Sequence, residues 1–274
     1  MEKIDRLGWA GGMRFVSFGR RVGIRVNDPE VLEHLPGFLP PGWKPAVSPI
    51  VDHVYSLLVG AAGPPSTFRR FNLLYAGPAR LARTMNLNEV FESLESHLHL
   101  TIAEAARGRL FVHAGVVGWR GRAIVLPGRT FSGKTTLVAA LVRAGATYYS
   151  DEYAVFDARG RVHPYPIALS LREETGERAR RCPVEALGGL PGVTPLPVGL
   201  VALSRYHPGG RWRPRLLSPG QAMLELLANT VAVRRRPKAA LATLQQVVSH
   251  APILKGTRGE AERMAGALSE ALDR

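Results

Sequence analysis

The sequence predicts a mixed α/β protein in three parts: a small N-terminal α+β module, an α/β core wound around a glycine-rich loop, and a helical C-terminal stretch. Three observations carry this prediction. A β-prone run at residues 123–126 enters a glycine-rich loop, a helical run at 136–144 follows, and residues 147–156 form a second β-prone run. Before that unit the apolar period changes from strand-like to helical between residues 86 and 106. After it come two capping-box spacings. With 274 residues, 46% hydrophobic and 21% charged, the chain can bury a sizeable core and does not read as disordered. The expected division is residues 1–106, a module ending in a linking helix, and residues 107–274, the core.

Taken in order, residues 14–26 are mostly apolar and β-prone. Asn27, Asp28 and Pro29 then offer a helix cap with proline in the first turn, and Pro36 with Gly37 stops that helix. Residues 52–59 and 71–75 are further strand candidates between proline- and glycine-rich turns. In residues 86–106, Val90, Phe91, Leu94, Leu98 and Ile102 recur at helical spacing behind Asn86 and Glu89, which resemble a capping box. His97 and His99 diverge on such a helix and are given no role. Two strands follow, 110–119 and 123–126, around a turn at Arg120, Gly121 and Arg122, and Gly145 ends the helix beyond the loop. Proline and glycine stay dense from 183 to 219, which predicts short strands and loops. Ser218 with Gln221, Pro237, and Thr257 with Glu260 then mark three closing helices.

Charge narrows the function classes. The chain has 36 Lys and Arg against 22 Asp and Glu, a net +14. Residues 1–110 carry 13 bases and 10 acids, so the excess lies in the later part, the expected anion-facing part. Basic clusters at Arg178, Arg180 and Arg181 and at Arg234, Arg235 and Arg236 raise a nucleic-acid reading. Aromatic content is 7% and no recognised DNA or RNA motif accompanies them, so solvated helix faces explain them better. No apolar run approaches the roughly 20 residues of a membrane span, and no signal-peptide pattern opens the chain, so cytoplasmic residence is expected. A single cysteine, Cys182, excludes an internal disulfide and a cysteine zinc cluster.

Gly128, Arg129, Thr130, Phe131, Ser132, Gly133, Lys134 and Thr135 satisfy the P-loop pattern, and Thr136 continues into the helix. In such a loop the glycines let backbone N–H groups surround phosphate oxygens, the lysine supplies a point charge at the β and γ phosphates, and the threonine hydroxyl can hold magnesium. The next β-prone run carries adjacent acids, Asp151 and Glu152. In a strand these point to opposite faces, so they are expected to divide two tasks, proton acceptor and metal ligand. His113 precedes the loop by one strand, and the small Ala114 and Gly115 beside it are expected to admit a nucleotide.

His113 with Ala114 and Gly115, the loop from Gly128 to Thr136, Gly145, and then Ser150, Asp151 and Glu152 resemble, in order and spacing, the catalytic domain of bacterial HPr serine kinase/phosphorylase. The resemblance covers residues 110–172 well, and the C-terminal stretch looks like compact HPr-kinase-related proteins. It implies a P-loop kinase core of the phosphoenolpyruvate carboxykinase-like type, with ATP and Mg2+ as cofactors. It implies further that Lys134 contacts phosphate, Thr135 and Glu152 bind magnesium, Asp151 accepts the acceptor's proton, and His113 assists near the γ phosphate. Arg172 is the candidate for an additional cation. Two departures are visible: Glu152 stands where the family usually has aspartate, and residues 164–173 replace a downstream glutamate, arginine, glycine signature. That signature is tied to phosphorolysis and to holding HPr, so a dedicated kinase is expected. Compact relatives are associated with phosphorylating serine in ribosomally made precursor peptides, and this chain is similar to them in length. The expected partner is therefore a protein or peptide bearing a serine hydroxyl. A small hydroxylated metabolite such as free serine is the alternative acceptor, and a non-catalytic nucleotide-binding regulator the alternative function. No nucleic-acid or membrane partner is expected, and a homo-oligomer is compatible with the sequence.

Overall fold

The computed structural model describes residues 2–60, 70–128, 132–172 and 179–273, and it divides into two compact units, Met1–Arg107 and Gly108–Arg274. In the first unit α1 (Glu2–Asp5) precedes the hairpin β1 (Gly11–Ser17) and β2 (Arg20–Val26). The β-prone residues 14–26 are thus divided between two strands. Phe18 and Gly19, both at positive φ, fold the run back on itself. Asp28 caps a 3₁₀ turn (Pro29–Glu33), and a second 3₁₀ turn (Leu35–Phe38) runs through Pro36 and Gly37, where the first was expected to stop. The strands β3 (Lys44–Pro45), β4 (His53–Leu58), β5 (Asn72–Ala76) and β6 (Ala79–Thr84) complete a sheet ordered β3-β1-β2-β4-β5-β6. Helix α2 (Leu87–Ala105) is capped by Asn86, whose side chain accepts from the Asn88 N–H at 3.0 Å. Its stripe of Val90, Phe91, Leu94, Leu98 and Ile102 is buried in one core with Phe15, Ile24, Leu57 and Leu74 from the sheet.

The second unit contains β7 (Leu110–Trp119), β8 (Arg122–Pro127), α3 (Lys134–Arg143), β9 (Thr147–Ser150), β10 (Tyr153–Phe156) and β11 (Val162–His163). A two-stranded ribbon, β12 (Leu169–Arg172) with β13 (Ala179–Cys182), follows. Then come β14 (Val198–Tyr206), β15 (Arg215–Leu216), α4 (Pro219–Ala228), α5 (Pro237–His250), β16 (Ile253–Arg258) and α6 (Ala261–Asp273). The main sheet runs β11-β10-β7-β8-β14-β16-β15, with β9 also on β7. Strands β8, β14 and β16 are mutually parallel in that order, and the remaining pairs are antiparallel.

Alternation along the central strands separates two cores. Ala123, Val125, Val201 and Leu203 meet Leu226 of α4 and Leu244 and Val247 of α5 on one face. Ile124, Leu126, Leu200 and Ala202 meet Leu137 and Leu141 of α3 and Ala265 and Leu268 of α6 on the other. Helices therefore cover both faces of a mixed sheet.

Four expectations for this unit are corrected. The proline-rich stretch holds a nine-residue strand, β14, because its continuous apolar run is buried on both faces. The C-terminal stretch is not purely helical: Thr257 lies within β16, paired with Arg205, so the ladder overrides the expected cap and α6 begins at Ala261. The run at 147–156 is two strands rather than one. Gly115 serves helix packing, since a Cβ there would stand 2.5 Å from Val138 Cγ2 of α3. Among the described residues no helix is long and apolar enough to cross a membrane.

Candidate functional site

The site forms where both neighbours of β7 break at the same level. On one edge β8 ends with the Gly128 N–H donating to the His113 carbonyl at 3.2 Å. The His113 N–H then donates to the Asn229 carbonyl at 2.8 Å, so the chain turning out of α4 takes over that edge. On the other edge the ladder is interrupted between β9 and β10. There the Ala114 N–H donates to the Glu152 carbonyl at 3.2 Å, and Ser150 Oγ accepts from the backbone N–H groups of Glu152 at 3.2 Å and Tyr153 at 3.0 Å. The Ser150 side chain supplies acceptors that the ladder does not, which stabilises a bend holding Asp151 and Glu152. His113, Gly128, Asp151 and Glu152 are thereby brought to one level of the sheet.

The acids do not lie in a strand, so the argument from opposite strand faces is replaced by one from burial. Asp151 is 8% exposed, whereas the Glu152 side chain is 43% exposed. Glu152 Oε1 stands 3.7 Å from His113 Nδ1, and the His113 ring tilts against Tyr153. Burial pushes the Asp151 carboxyl up to about 7, against hydrogen bonding from the Thr135 hydroxyl, the Lys134 charge and the Ser170 backbone; the Glu152 charge raises it further. Its Oδ1 is sealed from solvent without a partner among the described residues.

At the loop, Gly133 sits at φ 78° and starts α3; its carbonyl accepts the first helical bond, from Leu137 at 3.3 Å. A Cβ on Gly128 would stand 2.6 Å from Ser132 Oγ, so the loop closes on itself there. Lys134 Nζ donates to the Gly128 carbonyl at 2.6 Å. Its ammonium is held below the usual lysine range by burial, with Glu152 and Asp151 acting in the opposite direction. Thr136 is exposed on the first turn. Ser132 Oγ is also buried without a partner among the described residues. Arg129, Thr130 and Phe131 lie outside the described residues, as does the Arg172 side chain; the Arg172 backbone ends β12, two residues beyond Ser170.

One residue that sequence reasoning missed reaches this loop. Arg258 ends β16, is 3% exposed, and donates from Nη2 to the Gly133 carbonyl at 3.0 Å. The sequence marks it only as a residue inside the Thr257–Glu260 capping-box spacing, a reading that the ladder of β16 overrides. Among the described residues no group of three or more His, Cys, Asp and Glu is placed to hold a metal ion. The donors available to a hard cation are the Thr135 hydroxyl and the adjacent Asp151, whose unsatisfied Oδ1 fits an oxygen-seeking ion such as Mg2+ that keeps most of its ligands as water and phosphate. No family model matches the chain, and no curated protein matches it.

Proposed function

We propose that the chain is an ATP- and magnesium-dependent P-loop kinase that transfers the γ-phosphoryl group to a hydroxyl. The observation that carries this reading is the convergence of buried, unsatisfied polar atoms at the loop end. Ser132 Oγ and Asp151 Oδ1 are both sealed from solvent without partners among the described residues. Such atoms are costly unless a ligand completes them. Beside them stand Lys134 and the N-terminus of a ten-residue helix, both suited to phosphate.

Within this reading Thr135 and Asp151 would hold the magnesium, which neutralises developing phosphate charge when bound. The hydrogen bonding of Thr135 toward Asp151 favours that division over the one the family resemblance implies, with Glu152 on the metal. Glu152, the more exposed acid and 3.7 Å from His113, is then the candidate proton acceptor, with the imidazole beside it. The acceptor class, a serine of a protein or precursor peptide, rests on the resemblance to the HPr kinase family.

Calorimetry with ATP and magnesium tests the reading. Lys134→Ala should weaken ATP by at least about tenfold, the loss of one charge-assisted contact. Equal affinity in wild type and variant would remove Lys134 from the phosphates and end the assignment.

A further inference from the structure

The guanidinium of Arg258 is buried at 3% exposure beneath the loop, and its hydrogen bonds go to backbone carbonyls alone: Nη2 to Gly133 at 3.0 Å and Nη1 to Gly259 at 2.9 Å. Its Nε is sealed from solvent and has no partner among the described residues, and the Tyr206 ring lies 5.2 Å from Cζ. Among the described residues no carboxylate is within ion-pairing distance; Glu260 and Glu262 act on it only at longer range. Burial holds this arginine below its usual range, yet a guanidinium stays charged at neutral pH.

This arrangement is unfavourable by itself. A buried cation without a counter-charge carries a large desolvation penalty. Here it also lies against the first turn of α3, whose positive end opposes it, and Lys134 adds a further positive charge to the same loop. Gly133 is tied to it sterically, because any Cβ at that position would run into Arg258 Nη2. The charge that would relieve all three positive groups is a polyanion seated in the loop.

We propose that Arg258 is a positioning residue of the phosphate site: it holds the Gly133 carbonyl, fixes the left-handed turn that starts α3, and supplies a second fixed positive charge that a bound di- or triphosphate compensates. The inference rests on the phosphate-binding reading and extends it to a residue 125 positions away in sequence. The additional cation comes from the strand below the loop, a place distinct from the ribbon that carries Arg172.

The test is thermal melting of the full chain, with and without inorganic pyrophosphate or ATP plus magnesium, for wild type, Arg258→Met, Arg258→Lys and Lys134→Ala. Removing an uncompensated buried charge should leave the ligand-free melting temperature of Arg258→Met unchanged or raised. Its pyrophosphate affinity, read from the ligand-induced shift, should fall roughly ten- to hundredfold. Arg258→Lys should recover part of that affinity. A lower ligand-free melting temperature with an undiminished pyrophosphate shift would make Arg258 a structural strut and overturn the inference. Failure of Arg258→Met to fold without ligand would overturn it equally, because the guanidinium would then stabilise more than its burial costs. If wild type itself shows no shift with either ligand, the phosphate reading fails and this inference falls with it. A wild-type shift that Lys134→Ala diminishes and Arg258→Met does not would remove Arg258 alone.

Discussion

Two buried aspartates bracket the same short strand, β10, and their surroundings are opposite. Asp151 precedes it at 8% exposure and Asp157 follows it at 7%. Asp157 accepts from the backbone of Arg159 at 2.9 Å and Arg161 at 3.1 Å, from Arg161 Nε at 2.9 Å and from His163 Nε2 at 3.1 Å. Burial pushes its carboxyl up, but hydrogen bonds from His163, the backbone of Arg161 and Arg159, and the Arg161 side chain outweigh that and hold it down at about 2. Asp151 is enclosed by far more of the protein, so burial outweighs its own hydrogen bonds and raises it to about 7, and one oxygen has no partner among the described residues. The first arrangement completes a turn within the chain; the second leaves an acceptor open. Similar surface exposure thus conceals two different depths, and only the shallower acid is fully bonded within the fold.

The largest effects should come from the acids at the loop. Glu152→Gln should lower phosphoryl transfer by roughly 10²- to 10⁴-fold at saturating magnesium, the usual range for a lost proton acceptor. Asp151→Asn should instead raise the magnesium needed for half-maximal transfer by roughly 10- to 100-fold. Magnesium titrations of transfer to an identified acceptor read both at once. The reverse pattern would restore Asp151 as base and Glu152 as metal ligand. Asp151→Asn should cost the ligand-free fold less stability than Asp157→Asn, since one of its oxygens has no hydrogen bond to lose among the described residues.

Asp157→Asn should cost about 1–3 kcal/mol of folding stability by urea denaturation, because an acceptor serving four donors becomes half a donor. Transfer activity should stay near wild type. A loss of activity without loss of stability would dissolve the distinction between the two acids.

How much of this was legible in the sequence differs between the same two places. The helix after the glycine-rich loop is read directly, because the loop pattern specifies residue types at fixed spacing, and α3 begins at Lys134 inside that pattern. The Ser218 cap is likewise local, with Ser218 Oγ accepting from the Gln221 N–H and the Gln221 side chain returning to the Ser218 N–H. The break between β9 and β10 was not legible, since Ser150 is an ordinary strand residue until its hydroxyl is seen to replace the ladder. Strand β16 and Arg258 were hidden for the same reason. Their partners, β14 and Gly133, are distant in sequence, and non-local pairing leaves no periodic trace in a short run.

Acid unfolding sharpens the comparison at Asp157. Its folded carboxyl titrates near 2, below the ordinary 3.8, so its contribution is fully present above about pH 4 and is lost as pH falls from about 4 toward 2. The stability difference between wild type and Asp157→Asn should therefore be constant at neutral pH and shrink across that interval. A difference that stays flat down to pH 2 would show that the hydrogen bonds to Asp157 do not depend on its charge.

The smallest effect expected is at Arg161. Its guanidinium meets Asp157 at 2.9 Å, but its side chain is 44% exposed, so solvent screens the pair and the long side chain gives up rotamer freedom to make it. Arg161→Ala keeps the backbone N–H that donates to Asp157 and leaves His163 and Arg159 in place. The loss should be about 0.5 kcal/mol, visible as a small shift of the urea midpoint with an unchanged slope. A loss above about 2 kcal/mol would mean that Asp157 is held by an ion pair rather than by the turn around it.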